Sequence, residues 1–266
     1  MSTLKIVVII AVALYLTVGA FVYFLQESLI FLPVQLPRDF EYEFNTEFEE
    51  HFIQMEDGAE INALHFKHAD PKGLILYFHG NAGSLERWGE IVYPFVEKGF
   101  EVLIIDYRGY GKSTGKRSRN KLLSDADAIY SFAQQLTSED NIILFGRSLG
   151  SAFASYLAGK NSPSKVILET PFYSLEDVAN GMLPIYPTSL LLRYQFKNHE
   201  FLKNAKAPVY IFHGTEDEVV PYSSGEGLYQ SLVTVPSILI TVEGGHHNDL
   251  DLFDEYWAQM EMALNE

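Results

Sequence analysis

The residues of this chain best suited to covalent chemistry lie at 146–150, Gly-Arg-Ser-Leu-Gly, where Ser148 holds the centre of a G-x-S-x-G pattern. Four apolar residues at 142–145 precede it and read as a short buried strand, while Ala152, Phe153, Ala154, Tyr156, Leu157 and Ala158 follow and read as a helix. A turn this sharp from strand to helix strains the central residue and crowds any Cβ two residues to either side, a demand that Gly146 and Gly150 meet. Ser148 then stands at a helix N-terminus, where free N–H groups stabilise negative charge. These are attributes of a nucleophile that attacks a carbonyl. Taken alone the pattern carries limited weight, because three fixed positions in five recur by chance and a glycine-rich turn can serve packing only.

A serine hydroxyl is a poor nucleophile at neutral pH unless a histidine accepts its proton and a carboxylate orients that histidine. Both residue types follow downstream, each in a loop after a strand-like run. Residues 208–213 lead into a loop with three adjacent carboxylates, Glu216, Asp217 and Glu218. Residues 237–242 lead into a loop with two adjacent histidines, His246 and His247. The order is serine, acid, histidine.

Five motifs in order, His-Gly-Asn-Ala-Gly at 79–83, Asp-Tyr-Arg-Gly-Tyr-Gly-Lys-Ser at 106–113, the serine turn, residues 213–221 and residues 245–249, resemble the α/β-hydrolase superfamily. More narrowly they resemble its serine hydrolases that carry one N-terminal membrane anchor, from about residue 26 to the C-terminus. The resemblance implies a mostly parallel central sheet with helices on both faces. It implies Asp217 as the acid, in His-Gly-x-x-Asp-x-x-Val-Pro, and His247 as the base, in His-Asn-Asp, with Ser148 as the nucleophile. This chain carries His246 where the pattern has a small residue, so two histidines compete for the role. A tetrahedral intermediate also needs two preorganised N–H donors, expected at Leu149 and Asn81, with Ala82 as the second choice for the latter. The glycines at 79–83 could otherwise serve only to turn the chain into a helix over 85–98. His79 reads as a brace for this loop.

Other patterns point away from competing chemistries. Gly111-Lys112-Ser113 would end a phosphate-binding loop only if glycine replaced Asp106, so a nucleotide site is not expected. Asp106 and Arg108 are expected to pair with each other, and Lys112, Lys116, Arg117, Arg119 and Lys121 to form a solvated surface loop. His65 and His68 have H-x-x-H spacing without an evident third ligand, so no metal site and no cofactor are expected. A net charge of −16 argues against a nucleic-acid partner, and the absence of cysteine excludes thiolate chemistry and disulfides.

The elements that must hold these residues fit one domain with an appendage, since 266 residues at 47% hydrophobic can bury one large core. Residues 6–25 contain neither charge nor proline, and 20 residues at about 1.5 Å each span roughly 30 Å, a bilayer's hydrocarbon thickness. Residues 1–25 are therefore expected to be a membrane anchor and 26–266 the hydrolase domain; the run outlasts a secretory h-region. Lys5 before the span and Glu27 after it suggest the domain on the non-cytoplasmic side. Residues 26–37, apolar and punctuated by Pro33 and Pro37, are expected on the bilayer interface or the domain edge.

Between residues 44 and 66 two strand-like runs flank Glu56-Asp57-Gly58 and predict an antiparallel hairpin. Residues 171–205 are irregular, proline-punctuated and apolar, and their place between two core strands predicts a short lid, with ordinary packing helices as the alternative. An apolar lid favours an acyl substrate. The expected function is a membrane-anchored serine hydrolase that cleaves acyl esters or thioesters. Its rivals are an aminopeptidase-like serine peptidase and a tethered binding module without catalysis.

Overall fold

The computed structural model describes residues 2–265. Helix α1 (Thr3–Ile30) leads into a two-residue strand β1 (Leu32–Pro33), then the hairpin β2 (Phe48–Gln54) and β3 (Glu60–Phe66). Gly58 closes that hairpin at φ +80, a conformation glycine adopts without a Cβ penalty. The α/β units follow as β4 (Leu74–Phe78), β5 (Ala82–Gly83), α2 (Leu85–Ile91), α3 (Tyr93–Glu97), β6 (Glu101–Ile105), α4 (Arg119–Leu136), β7 (Ile142–Arg147), α5 (Ser151–Ala158) and β8 (Lys165–Glu169). Three short helices, α6 (Leu175–Met182), α7 (Thr188–Leu191) and α8 (Asn198–Phe201), form an insertion before β9 (Val209–Gly214), α9 (Tyr222–Ser231), β10 (Ser237–Val242) and α10 (Asp254–Asn265).

Eight strands make one sheet in the order β10-β9-β8-β7-β4-β6-β3-β2. The β2–β3 and β3–β6 pairs are antiparallel and the rest are parallel. The central strands are buried on both faces, which their unbroken apolar runs require. Leu76, Leu144, Leu168 and Ile211 point into one core layer with α4 and α5, while Ile75, Ile143, Ile167 and Phe212 point into the other with α2, α3 and α10. The period-two alternation thus builds two cores from one set of strands, and all eight side chains are buried.

Three details depart from the sequence reading. The helix expected over 85–98 is two helices, because Pro94 lacks the N–H an unbroken helix would need and its ring would strike the carbonyl of Glu90. Helix α1 runs to Ile30, five residues beyond the boundary expected at 25. Residues 32–33 do not simply lie along an edge: they pair in parallel with Ala82–Gly83, and Gln35 bridges Gly111, so the chain leaving α1 is threaded into the loops at the carboxyl ends of the strands.

Candidate active site

Strand β7 delivers Ser148 into a left-handed conformation at φ +49, the strain that its sharp turn imposes. A Cβ on Gly146 would lie 2.6 Å from the Gly150 carbonyl oxygen, and one on Gly150 would collide with the Phe78 carbonyl. Both glycines are therefore obligatory for this approach of the turn to β4. The Ser151 hydroxyl donates to the Ser148 carbonyl at 2.6 Å and accepts from Asn198 Nδ2 at 2.8 Å, which ties the turn to α8.

The loop after β9 presents Asp217, whose Oδ1 accepts from the N–H groups of Val219 and Val220 at 2.9 and 2.8 Å. Its Oδ2 lies 2.7 Å from His247 Nδ1, and His247 Nε2 lies 3.0 Å from Ser148 Oγ. A carboxylate can only accept, so Nδ1 carries the imidazole proton and Nε2 is free to accept from the serine. Burial would raise the Asp217 pKa, but bonds from His213 and His247, the His247 charge and the Val220 N–H outweigh it and hold the carboxyl below the ordinary range. His213 Nε2 stands 3.3 Å from Asp217 and 2.8 Å from the Val220 carbonyl, bracing the acid loop from beneath.

The neighbouring candidates diverge. His246 is half-exposed, with Nδ1 3.1 Å from Glu218 Oε2 and Nε2 3.9 Å from Glu216, and its pKa is raised chiefly by the Glu218 bond. Ser148, Asp217 and His247 thus come together, whereas His246, Glu216 and Glu218 meet one another at the surface.

Asn81 and Leu149 line the same cavity as Ser148. The Asn81 carbonyl accepts from Leu32 N at 2.9 Å and Tyr110 Oη at 2.7 Å; the Ala82 carbonyl accepts from Trp88 Nε1 at 2.8 Å. Tyr110 Oη in turn accepts from Leu32 N at 3.1 Å. Across a trans peptide the carbonyl and the next N–H point in opposite directions, so these bonds fix the orientation of the loop's amides. Tyr110, Trp88 and the β1 segment are contributors that sequence reasoning missed. Their signal was faint: an aromatic inside the 106–113 motif, and a short apolar stretch after the span.

Asp106 and Arg108 do not pair with each other. Asp106 is fully buried, 3.3 Å from His79 Nε2, and accepts from Leu85 N at 3.1 Å; burial pushes its pKa up. Arg108 instead forks onto Asp125 at 2.6 Å and Asp57 at 2.8 Å, so each of the two charges has its own partners. Of the basic residues Lys116 is exposed as expected, but the others are engaged: Lys112 is buried against Glu50 at 2.9 Å, Arg117 pairs with Glu27 at 3.2 Å, Arg119 donates to the Gln195 carbonyl at 2.7 Å and Lys121 meets Asp57 at 2.8 Å. Arg147, a variable position of the serine turn, forms a buried pair with Glu169 at 3.0 Å, and Tyr256 donates to the same carboxylate at 2.7 Å. His65 and His68 point apart, His65 to Glu101 at 3.1 Å and His68 into its own loop at Asp70. His65 does group with Glu49 and His51, with ligand atoms within 4.8 Å of one another, and the Lys67 amine already stands 3.3 Å from Glu49.

The cavity above Ser148 holds about 200 Å³. Val22, Leu29 and Ile30 of α1 form one wall, Leu175, Val178 and Met182 of α6 another, and Val219 and Val220 of the acid loop a third. Among the described residues that line it, none carries a charge.

A family model described as serine aminopeptidase, S33, matches residues 69–199. The uncharacterised protein Rv2307c of Mycobacterium tuberculosis is 32% identical over 206 residues, covering 76% of this chain and 73% of its own. The uncharacterised protein YfhR of Escherichia coli is 30% identical over 204 residues, covering 74% and 68%. Among solved structures, the Pyrococcus furiosus esterase Pf2001 superposes with a TM-score of 0.69 at 21% identity, covering 87% of this chain and 98% of that one. Est1E of Butyrivibrio proteoclasticus, solved with ferulic acid bound, gives 0.64 at 20% identity, covering 80% and 96%. With its sheet order, its strained serine turn and these relatives in agreement, the chain belongs to the α/β-hydrolase superfamily.

Proposed function

We propose that this protein is a membrane-anchored serine hydrolase that cleaves acyl esters or thioesters through an acyl-enzyme. The observation that carries the reading is the hydrogen-bonded series Asp217–His247–Ser148, at 2.7 and 3.0 Å, opening onto an apolar cavity. Ser148 Oγ attacks the carbonyl carbon as His247 Nε2 takes its proton, and Asp217 stabilises the imidazolium. The tetrahedral oxyanion is held by the N–H groups of Leu149 and Asn81, with Ala82 as the alternative to Asn81. Collapse breaks the bond to the leaving oxygen or sulfur, which departs with the His247 proton. Water, deprotonated by the same nitrogen, then attacks the acyl-enzyme and releases the acid and Ser148.

The aminopeptidase reading suits the family description, but an aminopeptidase must hold a charged α-ammonium near the serine. An apolar cavity whose described lining bears no carboxylate would leave that charge unpaired at a cost of several kcal/mol. The cavity suits an acyl chain. Helix α1 is long and apolar enough to cross a bilayer by length and composition, and Lys5 and Glu27 favour placing the domain on the non-cytoplasmic side.

A fluorophosphonate probe tests the proposal. The wild-type protein is expected to label at Ser148 and hydrolyse acyl esters faster than aminoacyl amides, with both signals lost in Ser148→Ala. A folded protein that never labels would instead be a tethered binding module.

A further inference from the structure

The insertion after β8 does more than cover the cavity. From Val178 to Leu192 it has 15 residues without a charge, bounded by Asp177 and Arg193. Its tip exposes Met182, Ile185 and Leu190 at 66, 71 and 78%. That much apolar surface on three neighbouring residues needs a covering.

The covering is indicated by what the tip touches. Tyr186 stacks on Tyr15 of α1 with ring centroids 4.6 Å apart, its hydroxyl donates to the Tyr15 carbonyl at 3.2 Å, and Tyr15 Oη donates to the Ile185 carbonyl at 3.0 Å. A Cβ on Gly19 would meet the Tyr186 ring at 3.3 Å, so the two elements are in close contact there. Tyr15 lies ten residues before Leu25, about 15 Å along the helix axis and well inside its uncharged run. Whatever surrounds α1 at that level surrounds the tip as well.

Polar groups are arranged to match. Charges and amides gather one level higher, where Glu27 meets Arg117 at 3.2 Å and Tyr194 at 2.9 Å, Gln26 bonds the Leu191 carbonyl and the Arg193 N–H, and Arg193 stands 5.7 Å from the Tyr23 ring. Such a belt of aromatic and charged groups suits the membrane–water interface. Below it, Pro184 and Pro187 have no N–H to satisfy, and Thr188 bonds Asn180 within the insertion.

We propose that the tip, residues 182–192, is sunk in the leaflet that α1 crosses, and that Ser148 acts on acyl esters resident in that bilayer, whose chains reach the cavity laterally between α1 and α6. The substrate class is thus an amphiphile with its acyl chain in hydrocarbon and its ester at the interface. This rests on the serine-hydrolase reading and adds the route by which substrate arrives.

The full-length protein in phosphatidylcholine vesicles gives two independent tests. Because the chain has no cysteine, Ile185→Cys and Leu190→Cys each take a single nitroxide label, with Val233→Cys as a label on the exposed far side of the domain. Labels at 185 and 190 are expected to relax with dissolved oxygen and to be shielded from an aqueous nickel chelate, with the reverse at 233. Nickel access at 185 and 190 would overturn the proposal, and so would shielding from both reagents, which would mean a protein partner such as a second copy.

The paired substitutions Ile185→Lys and Leu190→Lys are then compared on two esters. Turnover of umbelliferyl palmitate dispersed in the vesicles is expected to fall about tenfold or more, since buried lysines oppose insertion. Hydrolysis of soluble nitrophenyl acetate and fluorophosphonate labelling of Ser148 stay within about twofold. Unchanged palmitate turnover would overturn lateral access. Loss of labelling and of all ester hydrolysis in the wild-type protein, with the nitroxides still shielded, would instead sink the hydrolase reading and leave the membrane placement standing.

Discussion

At the scale of single residues, the site depends on how two carboxyl oxygens and two ring nitrogens are shared. Asp217 keeps Oδ1 on two backbone N–H groups and Oδ2 on His247, so it orients the imidazole without being free to rotate. Asp217→Asn offers an amide where the ring needs an acceptor, and kcat is expected to drop about 10⁴-fold while the fold survives; steady-state ester kinetics check this. The same carboxyl links stability to pH. Its folded pKa lies below the unfolded value of about 3.9, so its stabilisation is present above that pH and is lost as pH falls through the lower folded value. Thermal melts should show the wild-type advantage over Asp217→Asn shrinking below about pH 4. His246→Asn, at a half-exposed position turned to Glu218, should leave activity within about twofold, whereas His247→Asn should remove nearly all of it.

At the scale of elements, the loop at residues 79–83 beside Ser148, which the proposed function uses to hold the oxyanion, is positioned by chain segments far apart in sequence. Tyr110 accepts from Leu32 of β1 and donates to Asn81, so one hydroxyl joins the exit of α1 to the loop beside Ser148. Tyr110→Phe removes two bonds worth about 1 kcal/mol each; if both act on the transition state, kcat falls roughly five- to thirtyfold with little change in KM. The Arg147–Glu169 pair joins the end of β7 to the end of β8. Glu169→Gln would strand a buried guanidinium, and urea unfolding is expected to show a loss of about 3–5 kcal/mol.

At the scale of the whole molecule, α1 is a wall of the cavity and, in the function proposed, also the tether. Its last turns contribute Val22, Leu29 and Ile30 to the space above Ser148, and its middle is fastened to the insertion through Tyr15. A chain lacking residues 2–25 loses that fastening but keeps the apolar tip. Co-sedimentation with vesicles should therefore weaken without vanishing, and adding Ile185→Lys with Leu190→Lys should release the truncated protein. The full chain carries −16 and loss of Lys5 leaves −17, so the truncated form should bind zwitterionic vesicles more strongly than anionic ones at low salt.

Much of this architecture is legible along the chain because it is local. A strand followed by Gly-Arg-Ser-Leu-Gly can only turn one way, period-two apolar runs mark the buried strands, and an uncharged stretch of twenty residues marks α1. The order of serine, acid and histidine loops follows from the same local signals. Partner choice does not. His246 and His247 are the same residue type in one loop, and only the turn after β10 sends one to Ser148 and the other to Glu218. Arg108 sits two residues from Asp106 yet pairs with Asp57 and Asp125, since register and helix placement decide which carboxylate lies across from it. The sequence alone establishes the fold class and the residues fit to react. Tertiary packing alone decides which of them meet, and makes the apolar N-terminal helix part of the cavity, because contacts between separate segments of the chain leave no periodicity to read.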